Sequence, residues 1–210
     1  VLWVGTGENN TQRNLAYGDG VYKTTDGGKS FTNMGLKTSS QIGKIMIDPR
    51  NSNVVYVASQ GQAWGPGGER GLYKTIDGGK TWKNTSQNIK GMPSAAWIPQ
   101  IRASKFNQGE AYVVVNNYRQ FDFKPYLFRT RDFGKTWENL AADKPETFGY
   151  VLSVIQDLEE PNLLFLGTEY GLYVSIDEGK NWTKWTNDYP TVSTMDLAIH
   201  PREHDLIIGT

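Results

Sequence analysis

Two glutamates follow a Gly-Thr pair at the end of an apolar run: Glu8 in Gly5-Thr6-Gly7-Glu8 and Glu169 in Gly167-Thr168-Glu169. Glycoside hydrolysis needs two carboxylates, at roughly 5–5.5 Å for retention or roughly 6.5–9.5 Å for inversion. Glu8 and Glu169 are therefore the candidate catalytic pair, against the competing reading of structural hydrogen bonds to neighbouring loops. Asp19, Glu69 and Asp122 are further carboxylates in the same kind of stretch. Around them stand amides, guanidiniums and aromatic rings: Asn9, Arg13 and Tyr17, then Gln60, Trp64 and Arg70, then Asn117, Tyr118 and Arg119, and last Tyr170. This mixture of donors, acceptors and ring faces suits sugar hydroxyls or an extended peptide, and these ten residues are the candidate ligand-binding set. The competing reading of each is a solvated loop residue.

Other chemistries fit poorly. The chain has no cysteine, so it has neither a disulfide framework nor a thiolate metal site. His200 and His204 are four apart, but Pro201 between them argues against a helical metal pair. The glycine-rich stretch from Gly65 to Gly71 lacks the Lys-Ser/Thr of a phosphate loop. Lys plus Arg and Asp plus Glu both number 22, so no net charge advertises a nucleic acid or an anionic membrane. No apolar run approaches the roughly 18 residues that span a bilayer. The expectation is no metal, no cofactor, no nucleic acid and no transmembrane segment.

The elements that must hold these residues announce themselves by repetition. Thr24 to Phe31 (TTDGGKSF), Thr75 to Trp82 (TIDGGKTW), Thr130 to Trp137 (TRDFGKTW) and Ser175 to Trp182 (SIDEGKNW) are four copies of one box. Each has a hydroxyl residue, an Asp two places on (Asp26, Asp77, Asp132, Asp177), a Gly two further, and an aromatic three beyond that (Phe31, Trp82, Trp137, Trp182). Apolar alternation precedes every copy, so the box reads as a hairpin turn. The Asp accepts backbone N–H bonds within the turn, and the Gly supplies positive φ. The closing aromatic is expected to fold back as an apolar plug.

Ahead of each box lie two short apolar runs parted by a turn. Lys44–Ile47 and Val54–Ala58 around Asp48-Pro49-Arg50-Asn51 are the clearest pair; the others are 98–103 with 111–115, 151–155 with 163–166, and 195–199 with 206–208. The unit is thus four strands, A, B, C, box turn, D, and sustained helical periodicity is absent. The box Asp residues recur at intervals of about 51, 55 and 45 positions, which in a strand-rich chain means propeller blades. The fold expected is all-β: a β-propeller of four-stranded antiparallel blades, a partial propeller of about four blades. Residues 1–210 form one such segment, with repeats at about 1–40, 41–92, 93–145, 146–190 and an incomplete 191–210. The chain opens inside a strand without Met and reads as a mature or excised piece. Two closures compete: completion by residues outside it, or closure on itself with one duplicated B strand.

The boxes resemble Asp-boxes, also called BNR repeats, of the sialidase-like, sortilin-like and xyloglucan-active propellers. Trp3 to Asn10 (WVGTGENN), Tyr17 to Phe31, Asp122 to Thr130 (DFKPYLFRT) and Leu163 to Trp182 are similar to large secreted bacterial BNR-repeat proteins labelled glycosyl hydrolases, and to the sortilin ectodomain. The resemblance implies that the boxes are structural C-to-D turns, away from the face on which ligands bind. It also implies a location outside the cell, at its surface or in the periplasm. Arg13, Arg70 and Arg119 invite comparison with the sialidase arginine cluster. However, Arg102 precedes Ala103 and Ile98-Pro99 has no preceding Arg, so the sialidase Arg-Ile-Pro phrase is missing.

Function is then expected on the B-to-C loops, Gly7–Gly20, Ser59–Gly71, Asn116–Pro125 and the short Thr168–Gly171. The leading reading is a secreted or surface module that binds a glycan or extended peptide. Alternatives are a glycoside hydrolase with a carboxylate pair and a scaffolding subunit whose partners are the remaining blades or another protein.

Overall fold

The computed structural model describes residues 1–8, 15–142 and 149–210. The strand positions follow the alternation. Three strands, β1 (Leu2–Gly5), β2 (Val21–Thr24) and β3 (Thr32–Asn33), form the first sheet in that order. The second is β4 (Gln41–Asp48), β5 (Asn51–Gly61), β6 (Gly71–Thr75) and β7 (Lys83–Asn84). The third is β8 (Trp97–Ala103), β9 (Ala111–Asn117), β10 (Asp122–Thr130) and β11 (Glu138–Asn139), and the fourth β12 (Val151–Gln156), β13 (Leu164–Thr168), β14 (Gly171–Ser175) and β15 (Thr183–Lys184). A two-stranded sheet of β16 (Asp196–Ile199) and β17 (Leu206–Gly209) follows. Each sheet is a meander in chain order with antiparallel pairing, as in a propeller blade. The fold is a partial β-propeller of about four blades.

The chain divides into two compact units, Val1–Ile101 and Arg102–Thr210. In the first, Trp3, Val21, Leu36, Ile42, Val55 and Val57 make a core from two successive sheets, with Met34, Ile45, Tyr73 and Trp82 packed on it. In the second, Tyr112, Val114, Leu127, Val154, Leu164, Leu166 and Tyr173 do the same, with Trp182 against them. Burying each such Leu or Val side chain contributes about 1.5–3 kcal/mol, so the sheet-to-sheet layers hold the fold. A smaller core of Ile155, Leu172, Leu197 and Ile199 joins the last two sheets.

The four boxes close alike. In each, the first hydroxyl donates to the Asp Oδ1: Thr24 at 2.7 Å, Thr75 at 2.7 Å, Thr130 at 2.9 Å and Ser175 at 2.8 Å. The residue four after the Asp gives its backbone N–H to Oδ1 and its side chain to Oδ2, as Thr136 does at 2.8 and 2.6 Å. These donors hold all four carboxylates below the usual range. For Asp132 the Thr136 hydroxyl acts most strongly, for Asp177 the Asn181 backbone N–H, and both fall to about 2. The position after the Asp is left-handed throughout: Gly27, Gly78, Phe133 and Glu178 have φ of 77°, 72°, 61° and 61°.

The closing aromatics differ in setting. Trp82 and Trp182 are half-buried and pack on their unit's core. Trp137 is also half-buried, but its indole Nε1–H donates to Gly134 of its own turn at 3.2 Å. Phe31 is 45% exposed and plugs no core.

Candidate functional site

The Gly-Thr phrase is first of all a joint between sheets. The hydroxyl of Thr6 donates to Gly20 O at 2.8 Å and accepts the Asp19 N–H at 2.9 Å, which closes the first B-to-C loop. Thr168 does the same with Gly171 O and Tyr170 N–H, both at 3.2 Å. Each Thr carbonyl accepts an N–H from the start of the next sheet's segment, Ile42 of β4 on Thr6 and Thr194, two residues before β16, on Thr168, both at 3.0 Å. This register makes Gly7, not Glu8, the counterpart of Glu169, because Gly7 is inserted in the first phrase. The two glutamates thus leave their strands at different positions, Glu8 in the first unit and Glu169 in the second.

Four of the five loop carboxylates tie down their own surroundings. Glu8 accepts the Ala16 N–H at 3.4 Å, and Asp19 accepts the Tyr22 hydroxyl at 2.7 Å. Glu69 accepts both the N–H and the hydroxyl of Thr38 at 3.1 Å. Asp122 accepts the Tyr126 hydroxyl at 2.8 Å, and burial first, then this bond, pushes that phenol up to about 12. Glu169 differs: its Oε2 is shielded from solvent and has no hydrogen-bond partner among the described residues.

In the first unit the candidate ligand residues split. Arg70 is spent on backbone: it donates to the carbonyls of Gln60 at 2.7 Å, Ala95 at 2.7 Å, Gln62 at 2.5 Å and Gly65 at 3.0 Å. Its guanidinium also lies 3.9 Å from the Trp97 ring centre. It is the clamp of the Ser59–Gly71 loop. Gln60 is buried, whereas Trp64 and Tyr17 are 63% and 69% exposed on their loops. Asn9 and Arg13 lie outside the described residues.

The second unit brings several candidates together. β9 ends at Asn117, and a single 3₁₀ turn, Tyr118–Gln120, leads to Phe121 in left-handed conformation at φ 59° and into β10. That turn lays Tyr118 flat on Tyr150, with ring centres 4.3 Å apart and planes 21° from parallel. Phe123 tilts against Tyr150 at 6.3 Å, and the Arg119 guanidinium sits 4.5 Å from the centre of the Tyr118 ring. Glu169 is drawn in by its backbone N–H, which donates to Tyr150 O at 3.1 Å. Burial first, then the Glu169 charge, pushes the Tyr150 phenol up to about 12. Tyr170 is 42% exposed at the tip of the two-residue turn beside Gly149. Asn117 is buried, and its Oδ1 has no partner among the described residues.

Of the residues expected from the sequence, Tyr118 and Arg119 meet here, with Glu169 bonded to Tyr150, while Tyr150 and Phe123 were not among those expected. The available signal was an aromatic immediately before a β-run, Gly149-Tyr150-Val151. Among the described residues no group of three or more His, Cys, Asp or Glu could hold a metal ion, and no helix is long and apolar enough to cross a membrane.

Solved structures resemble the chain as propellers. A GH74 xyloglucanase from Xanthomonas campestris aligns over 98% of this chain and 33% of its own, at 15% identity and a TM-score of 0.69. The extracellular domain of a B. thetaiotaomicron protein aligns over 93% and 24%, at 15% identity and 0.65. YCF48 bound to D1 peptide aligns over 78% and 46%, at 20% identity and 0.50. The chain spans less than half the length of each of these. At such identities the likeness is one of fold. No curated protein matches the chain in sequence. The Sortilin-Vps10 family model, described as Sortilin, neurotensin receptor 3, matches residues 19–143, a span that takes in three of the four boxes and well over half of the 210 residues, and the chain belongs to that family.

Proposed function

We propose that the chain is a ligand-binding propeller module, working outside the cell, at its surface or in the periplasm, and that its B-to-C loop edge takes an extended peptide or a glycan. The observation that carries this reading is the Tyr118–Tyr150 stack with Arg119, Phe123 and Glu169 around it. Three stretches distant in sequence, 118–123, Tyr150 and Glu169, converge there, and function concentrates where a rigid scaffold holds loop residues. Phe121, Phe123 and Tyr170, in or next to the same stretches, are 89%, 51% and 42% exposed, so ring surface is open to a ligand there. A glycosidase reading is weaker, because Glu8, Asp19, Glu69 and Asp122 are engaged in holding their own loops. The structural neighbours include both a xyloglucanase and a peptide-bound protein, so relatives leave both ligand classes open.

The test is a screen of the 210-residue chain against immobilised neutral oligosaccharides and random heptapeptides. Binding that Tyr118→Ala weakens at least about tenfold, and Tyr118→Phe keeps, supports the site; a tenfold change is what loss of a stacked ring with its contacts gives. Binding indifferent to Tyr118→Ala, or none to either panel, overturns it.

A further inference from the structure

We infer that Glu169 is the acceptor for a cationic group of the ligand, a guanidinium or primary ammonium carried by a basic peptide. The inference rests on the binding reading above and specifies one arm of it. An ionised carboxylate has only acceptor sites, and Glu169 Oε2 is shielded yet receives no donor from the described residues. Asn117 Oδ1, one residue before the stacked Tyr118, is a second shielded acceptor with no donor among the described residues. What surrounds Glu169 is largely aromatic, through Tyr150 and its stack with Tyr118. A carboxylate beside ring faces suits a cation, which gains charge-assisted hydrogen bonds and attraction to the π-system together. The stack already accommodates this chemistry, since the Arg119 guanidinium sits 4.5 Å from the centre of the Tyr118 ring. The Glu169 side chain as a whole is only partly buried, so part of it faces solvent.

A neutral hydroxyl ligand would satisfy the same oxygens without needing the charge, so charge is what the experiment varies. The full chain is titrated with N-acetyl-arginine amide, N-acetyl-lysine amide and N-acetyl-citrulline amide, following the backbone amide resonances of Tyr118, Tyr150 and Glu169 by NMR. Citrulline keeps the shape and donors of arginine but not its charge. The expected result is saturable shifts at Glu169 and Tyr150 with arginine or lysine, and binding about tenfold weaker with citrulline. In Glu169→Gln, which keeps size and fold, arginine should fall to the level of citrulline. Equal binding of arginine and citrulline, or an arginine preference that survives Glu169→Gln, overturns the inference. If the heptapeptide or oligosaccharide screen still gives Tyr118-dependent binding after such a result, only this inference has failed. If that screen is also empty, the binding reading has failed with it.

Discussion

The indole of Trp82 donates its Nε1–H to the carbonyl of Met34 at 2.7 Å, across 48 residues and from one sheet to the one before it. Trp182 repeats the bond onto Leu140 at 3.2 Å. Met34 and Leu140 each lie three residues beyond the preceding box aromatic, so the bond is a repeat-level joint. A second joint runs the other way. Lys23 donates to Gly78 O at 3.1 Å and Arg129 to Glu178 O at 2.9 Å, in both cases the carbonyl just after the next box Asp. The box is thus a hairpin turn and also the clasp by which one sheet grips its predecessor.

The Trp82 joint has separable parts. Trp82→Phe keeps most of the ring and its edge contact with Trp3, at 6.1 Å and 80°, but leaves Met34 O without its donor. The expected loss is about 1 kcal/mol, the net worth of one hydrogen bond. Trp82→Ala removes a half-buried ring as well and should cost about 2–4 kcal/mol, somewhat less than a fully buried aromatic. Urea unfolding of both variants measures this. A Trp82→Phe protein as stable as its parent would make the indole hydrogen bond idle.

Two box glycines separate backbone strain from crowding. At Gly27, φ is 77° and a Cβ would meet nothing within 4 Å. At Gly79, φ is 94° and a Cβ would fall 2.6 Å from the Trp3 ring. Phe133 and Glu178 occupy the Gly27 position in the other boxes, so a side chain is admissible there. Gly27→Ala should therefore cost about 1 kcal/mol from left-handed strain alone. Gly79→Ala should cost at least about 2 kcal/mol more, because the core must shift to admit a methyl group. Thermal unfolding compares them, and equal costs would mean the Gly79–Trp3 approach carries no constraint.

Strands and boxes were legible in the sequence because both depend on local rules. Val54–Ala58 is an unbroken apolar run inside its sheet, with Val55 and Val57 in the core, and Asp132 sits where its own turn supplies the donors. The site was only half legible, for a physical reason. Arg70 looked like a ligand residue because its partners are main-chain carbonyls, which every residue has and no sequence marks. Tyr150 was missed because it gains meaning only from Tyr118, across a connection of no regular period. The Gly inserted at position 7 shifted Glu8 out of phase with Glu169, a displacement that only the Thr6 and Thr168 pairings reveal.

Arg70 as clamp gives its own prediction. Lysine cannot present a planar fork to four carbonyls or stack on Trp97 as a guanidinium does. Arg70→Lys should lower stability by about 1–2 kcal/mol and speed hydrogen exchange of amides across 61–70, leaving exchange in β4 and β5 near that of the parent. Exchange unchanged in 61–70 would show that the loop holds itself.

The boxes also predict an acid limit. Their hydroxyl and backbone donors depress all four Asp residues, with Asp132 and Asp177 at about 2 against an ordinary value of 3.8. A carboxylate depressed by folding stabilises the protein fully above its unfolded value, and that contribution disappears as pH falls through the folded one. The melting temperature should therefore be insensitive to these groups above about pH 5 and drop between about pH 4 and pH 2. Asp132→Asn keeps one acceptor oxygen but cannot titrate. It should melt lower than the parent at neutral pH, and its decline between pH 4 and 2 should be shallower, because one depressed carboxylate fewer is protonated. A decline as steep as the parent's would place the acid sensitivity in other carboxylates, with Asp157, held low through the backbone N–H groups of Glu159 and Glu160, the next to replace.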